Sequence, residues 1–91
     1  MSTEVEFDEK VSVNSKSDLS KNLVIYNDDF NTFEHVIDSL IKVCKHEHIQ
    51  AEQCTWIIHY NGKCAVKEGD MDDLLRMRRA LSERGLDAKI Q

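Results

Sequence analysis

The chain lacks the segments that mark several classes of protein. It has no run of roughly 18 apolar residues, which argues against a membrane-spanning helix. Its first residues, Met1 to Lys10, are acidic and polar, so we expect no secretory signal peptide. A glycine-rich phosphate loop is absent. The chain also has no proline, although that absence alone decides nothing about the fold.

Cysteine and basic residues are also scarce. Cys44, Cys54 and Cys64 are odd in number and form no closely spaced pair, so they predict neither a disulfide framework nor a zinc knuckle. Lys and Arg total 12 against 17 Asp and Glu, a formal net charge of −5. Because phosphate binding needs a basic surface, this balance argues against a nucleic-acid partner. We expect a soluble, cytoplasmic protein without a membrane partner.

The length bounds the domain organisation. The chain has 91 residues, of which 41% are hydrophobic, enough for one small domain with a modest core. Residues 1–21 lack apolar periodicity and are rich in Ser, Asp, Glu and Lys, which predicts a flexible N-terminal extension. The core domain is predicted to span residues 22–91. A chain of this size buries only about 60–65% of its unfolded surface, so we expect no deep catalytic cleft between lobes.

The first half of the core domain predicts one strand and two helices. Residues 22–26 form a β-branched and aromatic run, typical of a strand. Apolar residues then recur at helical spacing and predict a helix from about Thr32 to Lys45. Asn31 and Glu34 have the spacing of a capping box, which would make Asn31 the N-cap. A second apolar stripe predicts a helix from about residue 51 to 60, ended by Asn61-Gly62.

The second half predicts a strand, a helix and an edge strand. Residues 64–66 favour a strand, and Asp70 can cap a third helix that Gly85 ends. The predicted buried side of this helix consists of Leu74, Leu75, Arg78 and Leu81. Residues 87–91 could form a last strand at the edge of the sheet. The order β-α-α-β-α-β predicts an α+β sandwich whose three strands are covered on one face by helices.

Two polar features between these elements have alternative interpretations. The run Asn27-Asp28-Asp29 is suited to a turn before a helix, or to holding a cation with its oxygens, either a metal ion or an ammonium group. No calcium-loop pattern accompanies it. His59, near the end of the second helix, is suited to interact with the helix dipole. A neutral imidazole could instead accept a hydrogen bond from a cation.

Other candidate groups favour ordinary structural roles. Cys44, His46 and His48 have no fourth ligand at a standard spacing, which argues against a zinc site. Trp56 is predicted to lie in the core, with a half-exposed interface anchor as the alternative. Basic residues concentrate on the third helix and predict a solvated face, with a partner-binding patch as the alternative; they are Arg76, Arg78, Arg79 and Arg84. We predict no metal and no cofactor.

Two blocks of the sequence resemble the ClpS family. Residues 23–30, Leu-Val-Ile-Tyr-Asn-Asp-Asp-Phe, resemble the family's strand ending in Asn-Asp-Asp-aromatic, and residues 36–40 continue the match. Residues 58–63, Ile-His-Tyr-Asn-Gly-Lys, resemble its second block, apolar-His-x-x-Gly-Lys. The two blocks keep the family's separation without a gap. The combination is more specific than either block alone.

The resemblance implies an adaptor for the unfoldase ClpA or ClpC of the Clp protease. Such adaptors recognise N-degrons, proteins that begin with Leu, Phe, Tyr or Trp, and the family has no catalytic activity. The resemblance also implies an antiparallel three-stranded sheet like the C-terminal domain of the ribosomal stalk protein. Its flexible N-terminal extension would be engaged by the unfoldase, whose N-terminal domain binds the adaptor. We expect a monomer.

The resemblance also assigns candidate site residues. Asn27 and His59 would hydrogen-bond the degron's α-amino group, and Asp28 would supply a negative charge beside it. The side-chain pocket would consist of Asn31, Phe33, Val36, Thr55, Ile58 and Ala88. Several of these depart from the family: Phe33 replaces a gating Met, Asn31 a Thr, Thr55 an apolar residue and Ala88 a Leu.

Two other functions remain open from the sequence. The first is a regulatory domain of the same fold that docks on an AAA+ unfoldase without reading degrons, which Thr55 and Ala88 favour. The second is a small hydrolase that uses His59 and Asp28, although no nucleophile accompanies them. Substitution of His59 separates degron reading from docking, because only the former needs the imidazole.

Overall fold

A computed structural model describes residues 20–91, so almost all of the predicted extension over residues 1–21 lies outside the described residues. The elements are β1 (Lys21–Tyr26), α1 (Phe33–Cys44), α2 (His48–Asn61), β2 (Lys63–Gly69), α3 (Met71–Glu83) and β3 (Asp87–Ile90). The predicted order and fold class are confirmed. Within this range no helix combines the length and apolar character needed to cross a membrane.

Strand β1 is the centre of a three-stranded antiparallel sheet. The strand order is β2-β1-β3, which confirms the prediction that the last strand lies at an edge. Ile25 of β1 pairs with Cys64 of β2 on one side and Ala88 of β3 on the other. The β1–β2 register shifts between Leu23 and Val24, where Val66 is an extra residue on β2.

The core lies between the sheet and the three helices. Leu23 and Ile25 belong to it, whereas Val24 lies on the opposite side of β1 because side chains alternate along a strand. Each helix contributes at least one side chain with no exposed surface. The buried cluster consists of Leu23, Ile25, Leu40, Cys44, Ala51, Ile58, Val66, Leu74, Leu81, Leu86 and Ala88.

Helix α1 begins one residue later than predicted because a different residue caps it. Thr32 is the N-cap, and its hydroxyl oxygen accepts a hydrogen bond from the His35 N–H at 3.1 Å. The prediction that Asn31 caps the helix is therefore wrong, since the Asn31 side chain bonds elsewhere. Both residue types favour the N-cap position. Helix α2 starts at His48, before the predicted residue 51, and β2 continues past Val66 to Gly69.

Helix α3 is capped as predicted but buries a different set of side chains. The Asp70 carboxylate accepts a hydrogen bond from the Asp73 N–H at 3.1 Å. Leu74 and Leu81 are buried, but Leu75 and Arg78 are exposed, so their assignment to the buried side is wrong. Met77 packs against the core instead, at a spacing of i+3 from Leu74.

The neighbouring leucines of α3 provide a matched test of this packing. We expect Leu74→Ala to lower the free energy of unfolding by about 2–5 kcal/mol, because it leaves a cavity in the core. Leu75→Ala makes the same chemical change at a side chain that is 43% exposed. We expect it to change stability by less than about 1 kcal/mol. Urea unfolding measures both; equal losses would contradict the orientation of α3.

Candidate functional site

An open cavity of about 360 Å³ lies where the β1–α1 loop meets the start of α1 and the second half of α2. All of the predicted site residues except Ala88 line this cavity. The lining residues are Asn27, Asp28, Asp29, Asn31, Thr32, Phe33, Val36, Thr55, Ile58 and His59. Residues that are far apart in sequence therefore meet at one surface.

Ala88 is not among the residues that line the cavity. It sits on β3 opposite Ile25 of β1, and its side chain is buried in the core. The structure thus gives Ala88 a packing position in the sheet rather than a position in the cavity wall. Asp29 and Thr32 line the cavity although the sequence analysis did not select them. Asp29 was recognisable as part of the polar run, and Thr32 as a residue type that caps helices.

The Asp28 side chain organises the β1–α1 loop. Its Oδ1 accepts hydrogen bonds from the backbone N–H groups of Phe30 and Asn31, both at 2.8 Å. Its Oδ2 accepts a third, from the Asn31 Nδ2 at 2.7 Å. A carboxylate that bonds forward to the backbone forms an Asx-type turn, which holds the loop in one conformation. The turn expected for this polar run is therefore present.

The same contacts set the charge of Asp28. Burial raises the pKa of Asp28, but the Asn31 and Phe30 hydrogen bonds, with the nearby His35, outweigh burial and lower it below the usual carboxyl value. A lowered pKa means that the stabilising interaction is present above the unfolded-state value and is lost as pH falls through the folded-state value. The cavity therefore keeps this negative charge at neutral pH.

Asn31 ties the loop to the end of α3. Its Nδ2 has two hydrogens, and besides Asp28 it donates to the Gly85 carbonyl at 2.9 Å. Gly85 has a φ of 88°, a left-handed conformation that other residues rarely adopt. Its carbonyl directly follows the end of α3, so a residue remote in sequence helps to position the loop. The sequence predicts only that Gly85 ends the helix, because nothing in it indicates the hydrogen bond between the Gly85 carbonyl and Asn31.

A second set of contacts connects α1 to the same turn. The His35 Nε2 donates to the Arg84 carbonyl at 2.7 Å. In return, the Arg84 guanidinium donates to Ser39 Oγ at 2.7 Å and to Asp38 Oδ2 at 2.6 Å. Arg84 is half-buried, so its assignment to the solvated basic face is wrong. Arg76, Arg78 and Arg79 are exposed, as that interpretation expects.

A backbone contact brings the loop to the end of α2. The Asn27 N–H donates to the Gly62 carbonyl at 2.9 Å, and the Gly62 N–H donates to the Ile58 carbonyl at 3.0 Å. Gly62 is the C-cap of α2, with a left-handed φ of 95°. His59 lies three residues before it. The helix terminus thus fixes Asn27 and His59 at the same edge of the cavity.

His59 is exposed at this edge. Its ring makes edge-to-face contacts with Phe33, at 5.2 Å between centroids, and with Tyr60, at 4.8 Å. The rings of His35 and His46 each donate to a backbone carbonyl. No such bond engages the His59 ring within the described part of the chain. A neutral His59 imidazole can therefore accept a hydrogen bond from a ligand through one ring nitrogen.

Part of the cavity lining is an apolar wall. Phe33 and Val36 of α1 are half-buried, and Ile58 of α2 is buried. Thr55 also lines the cavity, and its hydroxyl donates to the Ala51 carbonyl at 2.8 Å within the same helix. That internal bond occupies the hydroxyl hydrogen. The cavity lining therefore combines polar acceptors with an apolar surface.

Cys44, His46 and His48 do not come together as a cluster of metal ligands. The His46 Nε2 donates to the Val66 carbonyl at 2.7 Å in the interior, and His48 is exposed. Within residues 20–91 no group of three or more potential ligands surrounds a common point.

Trp56 differs from the prediction that it lies in the core, since it is 45% exposed and lies outside the core. Its ring packs against Phe33 and Tyr60 at the surface.

Comparison with known proteins identifies the family. The family model of the ATP-dependent Clp protease adaptor protein ClpS matches residues 16–89. Among solved structures, Agrobacterium tumefaciens ClpS2 bound to L-phenylalaninamide has a similar fold, with a TM-score of 0.67, 16% sequence identity and coverage of 79% of this chain and 96% of that chain. No curated protein matches the chain. The chain therefore belongs to the ClpS family, the adaptor proteins of the ATP-dependent Clp protease.

Proposed function

We propose that this adaptor binds the N-terminal residue of N-degron proteins in the cavity and delivers them to an unfoldase of the ClpA or ClpC type. The supporting observation is the pairing of amine acceptors and an apolar wall in one open cavity. L-phenylalaninamide, the compound bound to the similar ClpS2, has the free amino group and bulky side chain that such a cavity would bind.

Asn27, His59 and Asp28 would bind the α-amino group together. The ammonium has three hydrogens to donate. The Asn27 side-chain oxygen and a neutral His59 nitrogen would accept two of them. Asp28 already accepts three hydrogen bonds from its own loop. Its contribution is therefore mainly its negative charge. An acetylated N-terminus lacks the charge and most of the donors, so it would leave these acceptors unpaired.

The apolar wall would receive the first side chain. Phe33, Val36 and Ile58 provide the hydrophobic contacts, and burial of a Leu or Phe side chain contributes roughly 1.5–3 kcal/mol. Charged hydrogen bonds to the amine contribute about 1.5–3 kcal/mol each. After the cost of association, the sum corresponds to a dissociation constant of about 1 μM or somewhat lower, near −8 kcal/mol.

This function requires no chemical step. The two most buried thiols are poor nucleophiles, because burial raises the pKa of Cys44 to about 11. Burial and the neighbouring Cys64 raise the pKa of Cys54 to about 12. Both therefore stay protonated at neutral pH, and the thiolate is the reactive form. We therefore assign the site to binding rather than catalysis, and the hydrolase alternative gains no nucleophile from these thiols.

Peptide binding is the direct test of this proposal. Fluorescence anisotropy would compare labelled peptides that differ only in the first residue: Leu, Phe, Tyr, Trp, Ile and Ala, with an acetylated Phe peptide as the negative control. We expect micromolar or tighter binding to the Leu, Phe, Tyr and Trp peptides and no binding to the Ala or acetylated ones. Absence of binding to every peptide would contradict degron reading and favour the docking regulator.

Two histidine variants make the same assay specific for the site. We expect His59→Ala to weaken binding of the bulky set by about tenfold to a hundredfold, the value of one charged hydrogen bond. His48→Ala is the matched control, because His48 is exposed at the other end of α2. It should bind like the wild type. Equal losses in both variants would contradict the role of His59.

Binding should weaken in alkaline solution. The α-amino group of the peptide loses its proton above about pH 8, and with it the positive charge that the cavity binds. Asp28 does not contribute to this change, since its lowered pKa keeps it charged from neutral pH upward. Anisotropy titrations measure the profile; constant affinity from about pH 7 to 10 would exclude this account.

The segment before residue 20 is proposed to act in delivery rather than in binding. In the described part of the chain, the residues that line the cavity lie between Asn27 and His59. We therefore expect a chain without residues 1–18 to bind the Phe peptide with unchanged affinity. Degradation of an N-degron substrate by a ClpA- or ClpC-type protease should slow, because the unfoldase would lack the segment it engages. Loss of peptide affinity would instead assign this segment to the binding site.

A further inference from the structure

Four aromatic rings form a continuous cluster beside the cavity. The aromatic cluster consists of Phe33, Trp56, His59 and Tyr60. Trp56 contacts Phe33 edge-to-face with 4.7 Å between ring centroids, and it stacks parallel on Tyr60 at 5.0 Å. His59 contacts both Phe33 and Tyr60 edge-to-face. Each ring therefore has two neighbours within the cluster.

The cluster has a cavity side and a solvent side. Phe33 and His59 line the cavity, whereas Trp56 and Tyr60 do not. Trp56 is 45% exposed and Tyr60 is 73% exposed, and neither belongs to the core. Trp56 thus keeps nearly half of its surface in solvent and Tyr60 most of it, while they contact the two rings that face the cavity. Packing of the fold does not account for this placement.

Helix geometry explains how the contacts arise. Trp56 and Tyr60 are four residues apart on α2, and His59 is three residues after Trp56, so all three lie on adjacent rows of one helix surface. Phe33 is the first residue of α1 and reaches them from the other helix. Edge-to-face and offset-stacked pairs are the preferred aromatic arrangements, and they restrict how each ring can turn.

We infer that Trp56 and Tyr60 are positioning residues: Trp56 holds Phe33, which meets the degron's side chain, and Tyr60 holds His59, which meets its amino group. This inference rests on the proposed function. The two residues act on different parts of the ligand, so their loss has different consequences. Release of Phe33 affects discrimination among first residues, whereas misorientation of His59 affects all of them alike.

Substitutions by leucine separate the two roles in the peptide assay. In Trp56→Leu, we expect the affinity ratio between the tightest and weakest bulky peptides to fall by about threefold to tenfold, the value of one aromatic contact. In Tyr60→Leu, we expect the affinity for every bulky peptide to fall by the same factor, again about threefold to tenfold, so that their ranking is kept. Trp56→Phe and Tyr60→Phe retain a ring. Trp56→Phe should therefore keep most of the wild-type affinity ratio, and Tyr60→Phe most of the wild-type affinity.

Ile57→Ala is the matched control. Ile57 lies next to Trp56 on α2 and is equally exposed, but it belongs neither to the cavity nor to the aromatic cluster. It should bind every peptide like the wild type. Urea unfolding should give all these variants midpoints close to that of the wild type, since none removes a core side chain. A midpoint loss that tracks the affinity loss would indicate a merely structural role.

A spectroscopic signature tests the ring contacts without any ligand. The ring of His59 makes edge-to-face contacts with Phe33 and Tyr60, so we expect the neighbouring ring currents to shift the NMR resonances of its ring protons. Tyr60→Leu should move these resonances, and Tyr60→Phe should leave them near their original positions. Unmoved resonances, or an unchanged affinity ratio between the tightest and weakest bulky peptides in Trp56→Leu, would overturn the inference while the proposed function stands. A wild type that binds no bulky peptide would overturn both.

Discussion

The site depends on the hydrogen bonds that the Asp28 carboxylate accepts. The carboxylate accepts three hydrogen bonds from the residues that follow it, and these fix the course of the chain from β1 into α1. The loop thereby places Thr32 at the N-cap position and Phe33 in the first turn of α1. Since burial opposes ionisation, these bonds also keep the group charged. One side chain therefore sets both the geometry and the charge of the polar end of the cavity.

The loop is not supported by its own bonds alone. Asn31 connects it to the Gly85 carbonyl, and His35 connects α1 to the Arg84 carbonyl. Arg84 in turn bonds to the side chains of Ser39 and Asp38 on α1. Helix α3 lines none of the cavity, yet the turn at its end holds the cavity-forming elements in place. A mutation in this turn would disturb the site without touching a ligand.

The fold was predictable from the sequence because periodicity and turn chemistry are local. The candidate site residues came from the resemblance to the ClpS family, and all of them except Ala88 line one cavity. The errors have a common cause, which is competition between similar local options. Asn31 and Thr32 both suit an N-cap, and only the contacts of Asn31 with Asp28 and Gly85 decide between them. Leu74 and Leu75 are adjacent apolar residues, and only tertiary packing selects one. Trp56 lies on a different side of α2 from the buried Ala51 and Ile58, so its position on the helix keeps it out of the core although its ring is apolar.

A single helix terminus aligns the polar loop with the last turn of α2. Gly62 accepts the Asn27 N–H through its carbonyl, so the polar loop and the last turn of α2, which carries His59, share one fixed point. A β-carbon at Gly62 would meet no atom within 4 Å, so space does not require glycine there. The left-handed φ of 95° does, because residues with a β-carbon are strained in it. The requirement at this position is therefore one of backbone conformation. It connects the glycine of the second sequence block to the placement of Asn27, which belongs to the first.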